Sequence, residues 1–227
     1  MGRVVPPPAI RGSQMWLQRY VRDCPDVLDD AIRAASGDRI AAPIQWMSPV
    51  DWDGYAEYRD HAFLDVLGVK LPARSLDSFW PRNGPQWDGL AVTAAGDRIL
   101  VEAKAHVDEM VTSTSASPVS LERIRGALAE THGFLRARPG ADWTTGFYQY
   151  ANRLAHLYLL RVLNGVPAWL VFVDFVGDRE IGGPDTAAEW EAATKVLHAA
   201  LGIAGCRSPL MSHVLHVPLE VSRVPAI

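Results

Sequence analysis

Residues 87–105 leave this chain little freedom in how it can fold. Two short apolar runs, 87–93 and 98–105, flank Ala95-Gly96-Asp97, a turn signal that predicts a β-hairpin. Strand alternation puts Asp88, Leu90 and Val92 on one face of the first run, and Leu100, Glu102 and Lys104 on one face of the second. The opposite faces carry Ala91, Ile99, Val101 and Ala103. Both faces are mostly apolar, so the spacing predicts central strands covered on both sides. Asp88, Glu102 and Lys104 therefore lie where a charge is costly unless it is paired or holds a ligand.

A chain of 227 residues that is 48% hydrophobic can bury a large core without disulfides. Its formal net charge of -4 excludes a protein that grips nucleic acid over a wide basic surface, although a locally basic cleft or a metal ion can still meet phosphate. Cys24 and Cys206 have no partner motif and read as free thiols, with no disulfide framework or zinc site. The N-terminal Pro6-Pro7-Pro8 stretch lacks the apolar core of a signal peptide. The most apolar region, 154–176, is broken by Arg161, Asn164-Gly165-Val166-Pro167 and Asp174, and so predicts a helix, a turn and a buried strand rather than a membrane span. The expectation is a cytoplasmic protein with no membrane partner.

Taken in order, residues 1–12 predict a stiff extended tail, followed by helices over 14–23 (capped by Ser13) and from Pro25 to Gly37. Ser48-Pro49 predicts a helix to Leu67, with Trp52, Ala56, Phe63 and Leu67 inward and Glu57 beside that stripe. A strand is expected near 69–76. Beyond the hairpin the pattern predicts a loop over 107–119 and helices over 121–137 and 145–163. The second of these carries a polar stripe of Gln149, Asn152, Arg153 and His156. A buried strand at 168–176, a helix capped by Thr186 and a strand at 213–219 complete the chain. The expected organisation is an α/β domain at 49–184, its mixed central sheet flanked by helices, with an N-terminal helical appendage (1–48) and a C-terminal helix and strand extension (185–227).

The hairpin can bring Asp88 close to Glu102. Paired hard carboxylate oxygens suit Mg²⁺, with water and phosphate completing its shell. A carbonyl of Val101 or Ala103 could add a ligand, and Lys104 could orient water and stabilise charge developing on phosphate. This is equipment for phosphodiester hydrolysis.

Pro85-Gln86-Trp87-Asp88 followed by Val101-Glu102-Ala103-Lys104 resembles the PD-(D/E)XK, or restriction-endonuclease-like, nuclease superfamily. The resemblance implies an αβββαβ core over about 49–176. It implies Asp88 and Glu102 as metal ligands, Lys104 as the catalytic lysine and Glu57 as an extra acidic ligand. It also implies Mg²⁺, with Mn²⁺ as a substitute, and cleavage of nucleic acid, DNA before RNA, to leave 5′-phosphates. Some exonuclease-like members carry Gln and Tyr four apart on the helix after the hairpin. This chain has Gln149 and then Arg153, both candidate phosphate contacts. No target-recognition domain, helicase motif or phosphate-binding loop is present, so a protein partner or the terminal segments would supply specificity.

Blander readings stand beside these. Glu102 and Lys104 could form an ion pair at an exposed sheet edge, Glu57 and Glu109 could be surface carboxylates, and Gln149–Arg153 a solvated helix face. His106 could line the cleft or hydrogen-bond within its loop. His213 and His216 are three apart, facing opposite ways on a strand. Trp46, Trp52, Trp80 and Trp87 read as core, with base stacking the alternative. A nuclease-fold module without catalysis, serving nucleic-acid or protein binding in a larger system, is the competing function.

Overall fold

The computed structural model describes residues 2–225, so Met1, Ala226 and Ile227 of the terminal segments lie outside the described residues. In chain order the elements are β1 (Arg3–Val4), α1 (Gly12–Asp23), α2 (Pro25–Ala35), β2 (Ile44–Ser48), β3 (Glu57–Tyr58), α3 (His61–Val66), α4 (Leu76–Phe79), β4 (Gly89–Thr93), β5 (Arg98–Lys104), α5 (Pro118–Leu135), α6 (Tyr148–Tyr158), β6 (Ala168–Val176), α7 (Ala187–Ala200) and β7 (Val214–Glu220). A π-helical turn, Leu159–Leu163, extends α6.

Five strands form one mixed sheet in the order β2-β4-β5-β6-β7. β2, β4 and β5 pair antiparallel, while β5, β6 and β7 run parallel. The hairpin turn is closed by Thr93, whose backbone N–H donates to the Asp97 carbonyl at 3.1 Å and whose hydroxyl accepts from the Asp97 N–H at 3.1 Å. Gly96, at φ +93°, supplies the left-handed residue that this turn needs.

The period-2 pattern of the hairpin sorts its side chains into two cores. Ala91, Ile99, Val101 and Ala103 pack with Leu17 and Tyr20 of α1 and Leu28 and Ile32 of α2. Leu90 and Leu100 face the other way, into a core built with α5, α6, Trp190 of α7 and the segment 61–80. Helices thus flank the sheet on both faces, and β6 is buried along all nine of its residues. Among the described residues no helix is long and apolar enough to cross a membrane.

Three local expectations are overturned. The helix predicted over 49–67 is replaced by a turn, the two-residue strand β3 and the short helix α3. Gly54, Tyr55 and Asp60 take φ of +67°, +54° and +53°, which no continuous right-handed helix can contain. Trp52, expected inward, is 76% exposed. The strand expected at 69–76 is absent, and Ser75 instead caps α4 by accepting from the Ser78 N–H. The helix expected over 121–137 begins earlier, at Pro118, with Ser117 as its cap. The sheet also takes both edge strands, β2 and β7, from segments assigned outside the core by sequence.

Candidate functional site

The β4–β5 ladder ends at Gly89↔Val101, which leaves Asp88 and the 102–104 segment beyond the last paired residues. The Ala103 N–H has no strand partner there and donates to Asp88 Oδ2 at 2.8 Å. Gly89 beside it leaves little room for a side chain, because a Cβ at that position would lie 3.2 Å from both Trp46 and Val101 side chains. Glu102 and Lys104 project from the same face of β5, as alternation predicts, and form a buried ion pair through Oε1 and Nζ.

Arg153, on α6, closes the group. Its Nε donates to Glu102 Oε2 at 2.7 Å, and its Nη2 lies 2.6 Å from the same oxygen. Nη2 also donates to the Gln86 carbonyl at 2.7 Å and Nη1 to Asn152 Oδ1 at 2.9 Å. The guanidinium lies over the Trp87 ring, 4.7 Å from its centroid. Glu102 is 1% exposed and Arg153 2%. Arg153, expected at a phosphate, therefore has every guanidinium nitrogen engaged inside the protein and acts as a strut for Glu102. The exposed-edge reading of Glu102 and Lys104 fails for the same reason.

A cavity of about 390 Å³ opens beside this network, lined by Glu57, Gln86, Asp88, Thr112, Gln149 and Arg153 among others. Gln149 stands in its wall, where its backbone N–H donates to Thr112 Oγ1 at 2.8 Å. Glu57 comes from β3, not from a helix. Its Oε1 accepts from Gln14 Nε2 at 2.6 Å, and its Oε2 from Gln86 Nε2. Gln14, on α1, carries no sequence signal beyond a polar position on an amphipathic helix. Gln86 stands inside the Pro-Gln-Trp-Asp run, but its tie to Glu57 depends on tertiary structure.

The remaining candidates have structural duties. His106 Nδ1 accepts from the Asp108 N–H at 3.0 Å, capping a short turn. Glu109 accepts from the N–H groups of Ala105 and His106 and from the Ser13 hydroxyl, so it is not a free surface charge. His156 is buried against Trp80, Trp87 and Phe63, with Nδ1 2.8 Å from the Asn152 carbonyl. Burial pushes its imidazole down to about 3, which keeps it neutral.

The two carboxyls are tuned in opposite directions. Burial, reinforced by the Glu102 charge, pushes Asp88 up to about 8 against the pull of Lys104. Burial also opposes the charge on Glu102, but Arg153 and Lys104 overcome it and hold that group below the usual carboxylate range. Burial would lower Lys104; the charges of Glu102 and Asp88 outweigh it and keep the ammonium protonated.

Among the described residues no group of three or more His, Cys, Asp or Glu side chains is placed to hold a metal ion. What the site offers a cation is the Asp88 carboxyl, since Lys104 and Arg153 take both Glu102 oxygens; a hard oxygen of this kind suits Mg²⁺, which keeps several waters. Asp88 Oδ1 has no hydrogen-bond partner among the described residues and Asp88 lines the cavity, so a cation could reach it. Comparisons with known protein families, with curated proteins and with solved structures found no match.

Proposed function

We propose that this chain is a divalent-metal-dependent phosphodiesterase acting on nucleic acid, DNA before RNA, built on a restriction-endonuclease-like core. One observation carries the reading: where the hairpin ladder ends, Asp88 lines a cavity large enough for part of a nucleotide, with the buried Glu102–Lys104 pair on the adjoining strand. On this reading the αβββαβ order runs through α1–α2, β2, β4, β5, α6 and β6, and the core begins at Gly12 instead of Pro49.

Asp88 and Glu102 would hold Mg²⁺ or Mn²⁺. When bound, the metal would polarise the phosphodiester and make its water more acidic. Lys104, held protonated chiefly by Glu102, stabilises negative charge developing on phosphate. Arg153 fixes Glu102 from behind. Glu57 orients Gln86, and Gln149 offers an amide to substrate from the cavity wall. Specificity comes from a partner protein, since the overall charge of -4 gives weak autonomous grip on phosphate.

The test is cleavage of single- and double-stranded DNA and RNA with Mg²⁺, Mn²⁺ or chelator. Metal-dependent cleavage that Lys104→Ala abolishes while the circular dichroism spectrum is retained is the expected result. Cleavage unchanged by Lys104→Ala would reveal a contaminant. One observation favours the non-catalytic alternative: Lys104 and Arg153 already occupy both Glu102 oxygens. Calorimetry with Mn²⁺ decides between them, because the non-catalytic module takes up no metal that Asp88→Asn removes.

A further inference from the structure

A second polar group lies on the same sheet face. Register sets Glu102 beside Phe172 and Phe172 beside His216, one row across β5, β6 and β7. His216 Nδ1 is 3.0 Å from Asp174 Oδ2. The Tyr150 hydroxyl lies 2.8 Å from His198 Nε2 and 3.4 Å from His216 Nε2. Asp174, His216, Tyr150 and His198, from β6, β7, α6 and α7, thus form a continuous hydrogen-bonded chain. Tyr150 and Phe172 stack at 4.5 Å, and Phe172 and His216 at 5.0 Å, both near parallel, which fixes the plane of His216.

Counting protons assigns the donors. An ionised Asp174 only accepts, so His216 Nδ1–H donates to it and His216 Nε2 carries a lone pair. Tyr150 then donates its one proton to His216 Nε2, and its oxygen accepts from His198 Nε2–H. His198 Nδ1 is left as an acceptor.

This chain borders a separate cavity of about 490 Å³ between α7 and β7. Asp174, His198 and His216 line it together with Glu191 and Lys195, and Ala187, Ala188 and Pro218 give it apolar walls. Glu191 and Lys195 pair at 2.6 Å and cancel each other. Asp174 is 5% exposed and is the charge left over. Its Oδ1, like His198 Nδ1, has no hydrogen-bond partner among the described residues.

We propose that this cavity is a second binding site, for a small nitrogenous cation of the amine, amidine or imidazolium class, whose N–H groups meet Asp174 Oδ1 and His198 Nδ1. The Tyr150–His216 relay sets His198 Nδ1 as the acceptor. The site needs neither divalent metal nor nucleic acid, so its fate is independent of the hairpin reading.

Benzamidine, a flat amidinium on an apolar ring, is the probe. It is titrated into the full chain labelled with ¹⁵N-histidine at neutral pH. Saturable shifts of the His198 and His216 ring nitrogens are expected, with affinity at least about tenfold weaker in Asp174→Asn. Tyr150→Phe, which removes only the hydroxyl, is expected to turn the Nε2–H form of His198 into a tautomer mixture and to weaken benzamidine. Absence of saturable shifts in the wild-type chain overturns the site. Equal affinity in Asp174→Asn, or an unchanged His198 tautomer in Tyr150→Phe, overturns it as well.

Discussion

Glu102 and Asp174 are buried carboxylates on neighbouring strands of one sheet face, yet they are neutralised in different ways. Glu102 sits between two permanent cations, Lys104 and Arg153. Asp174 meets only the titratable ring of His216, which passes its other nitrogen to Tyr150 and His198. The first arrangement holds Glu102 ionised and Lys104 protonated, as phosphate chemistry requires. The second leaves one carboxylate oxygen, Asp174 Oδ1, without a hydrogen-bond partner among the described residues and open to a ligand. Two polar groups on one scaffold can therefore differ in chemistry through the counter-charge alone.

The contrast can be broken most severely at Arg153. Arg153→Met strands half of the Glu102 charge in the core, and urea unfolding should show a loss of about 3–5 kcal/mol, against about 1–3 kcal/mol for Asp174→Asn. Similar losses at the two sites would mean that the permanent pair has no special weight. Next in size is catalysis: Lys104→Ala should slow cleavage at least about a hundredfold, while Tyr150→Phe leaves it within about twofold. Equal losses would merge the two groups into one site.

His156 sharpens the comparison, since it is a buried histidine with no carboxylate at all. Its folded value of about 3 lies below the ordinary 6.5, so the folded state binds fewer protons than the unfolded chain between those limits. The stability it supports is complete above the ordinary value and is lost as pH falls toward 3, about 2 kcal/mol by about pH 5. In His156→Gln that share of the acid sensitivity should vanish from thermal melts. The smallest effect is expected at Glu57→Gln. If Glu57 orients Gln86 and binds no metal, cleavage persists within about tenfold and stability falls by about 1 kcal/mol. A drop as deep as that of Lys104→Ala would make Glu57 a ligand.

Much of the hairpin was legible because its information is local. Period-2 alternation and one glycine turn define strands 89–93 and 98–104, and charge on an apolar strand marks Asp88, Glu102 and Lys104. The segment 49–67 was not legible, because apolar spacing says nothing about the positive φ of Tyr55 and Asp60, residues that rarely take it. Arg153 was visible as part of a polar stripe. Whether such a stripe faces water or a buried carboxylate depends on a partner far away in sequence. Gln14 was hidden for the same reason, since nothing near α1 announces Glu57.

The ion pair between Glu102 and Arg153 also has a consequence in time. Glu102 reaches its place when the hairpin closes, a local event, but Arg153 arrives only with α6, inside the crossover of residues 105–167 that joins β5 to β6. Closing so long a connection is slow compared with forming a hairpin. Until it closes, Glu102 has only Lys104 as a counter-charge and resists leaving water. The site's own carboxylate thus acts as a brake on premature burial of β5. In refolding, protection of the Glu102 amide, which faces β6, should lag behind that of Ile99 and Val101, which face β4, so the site is finished last although its strands come first.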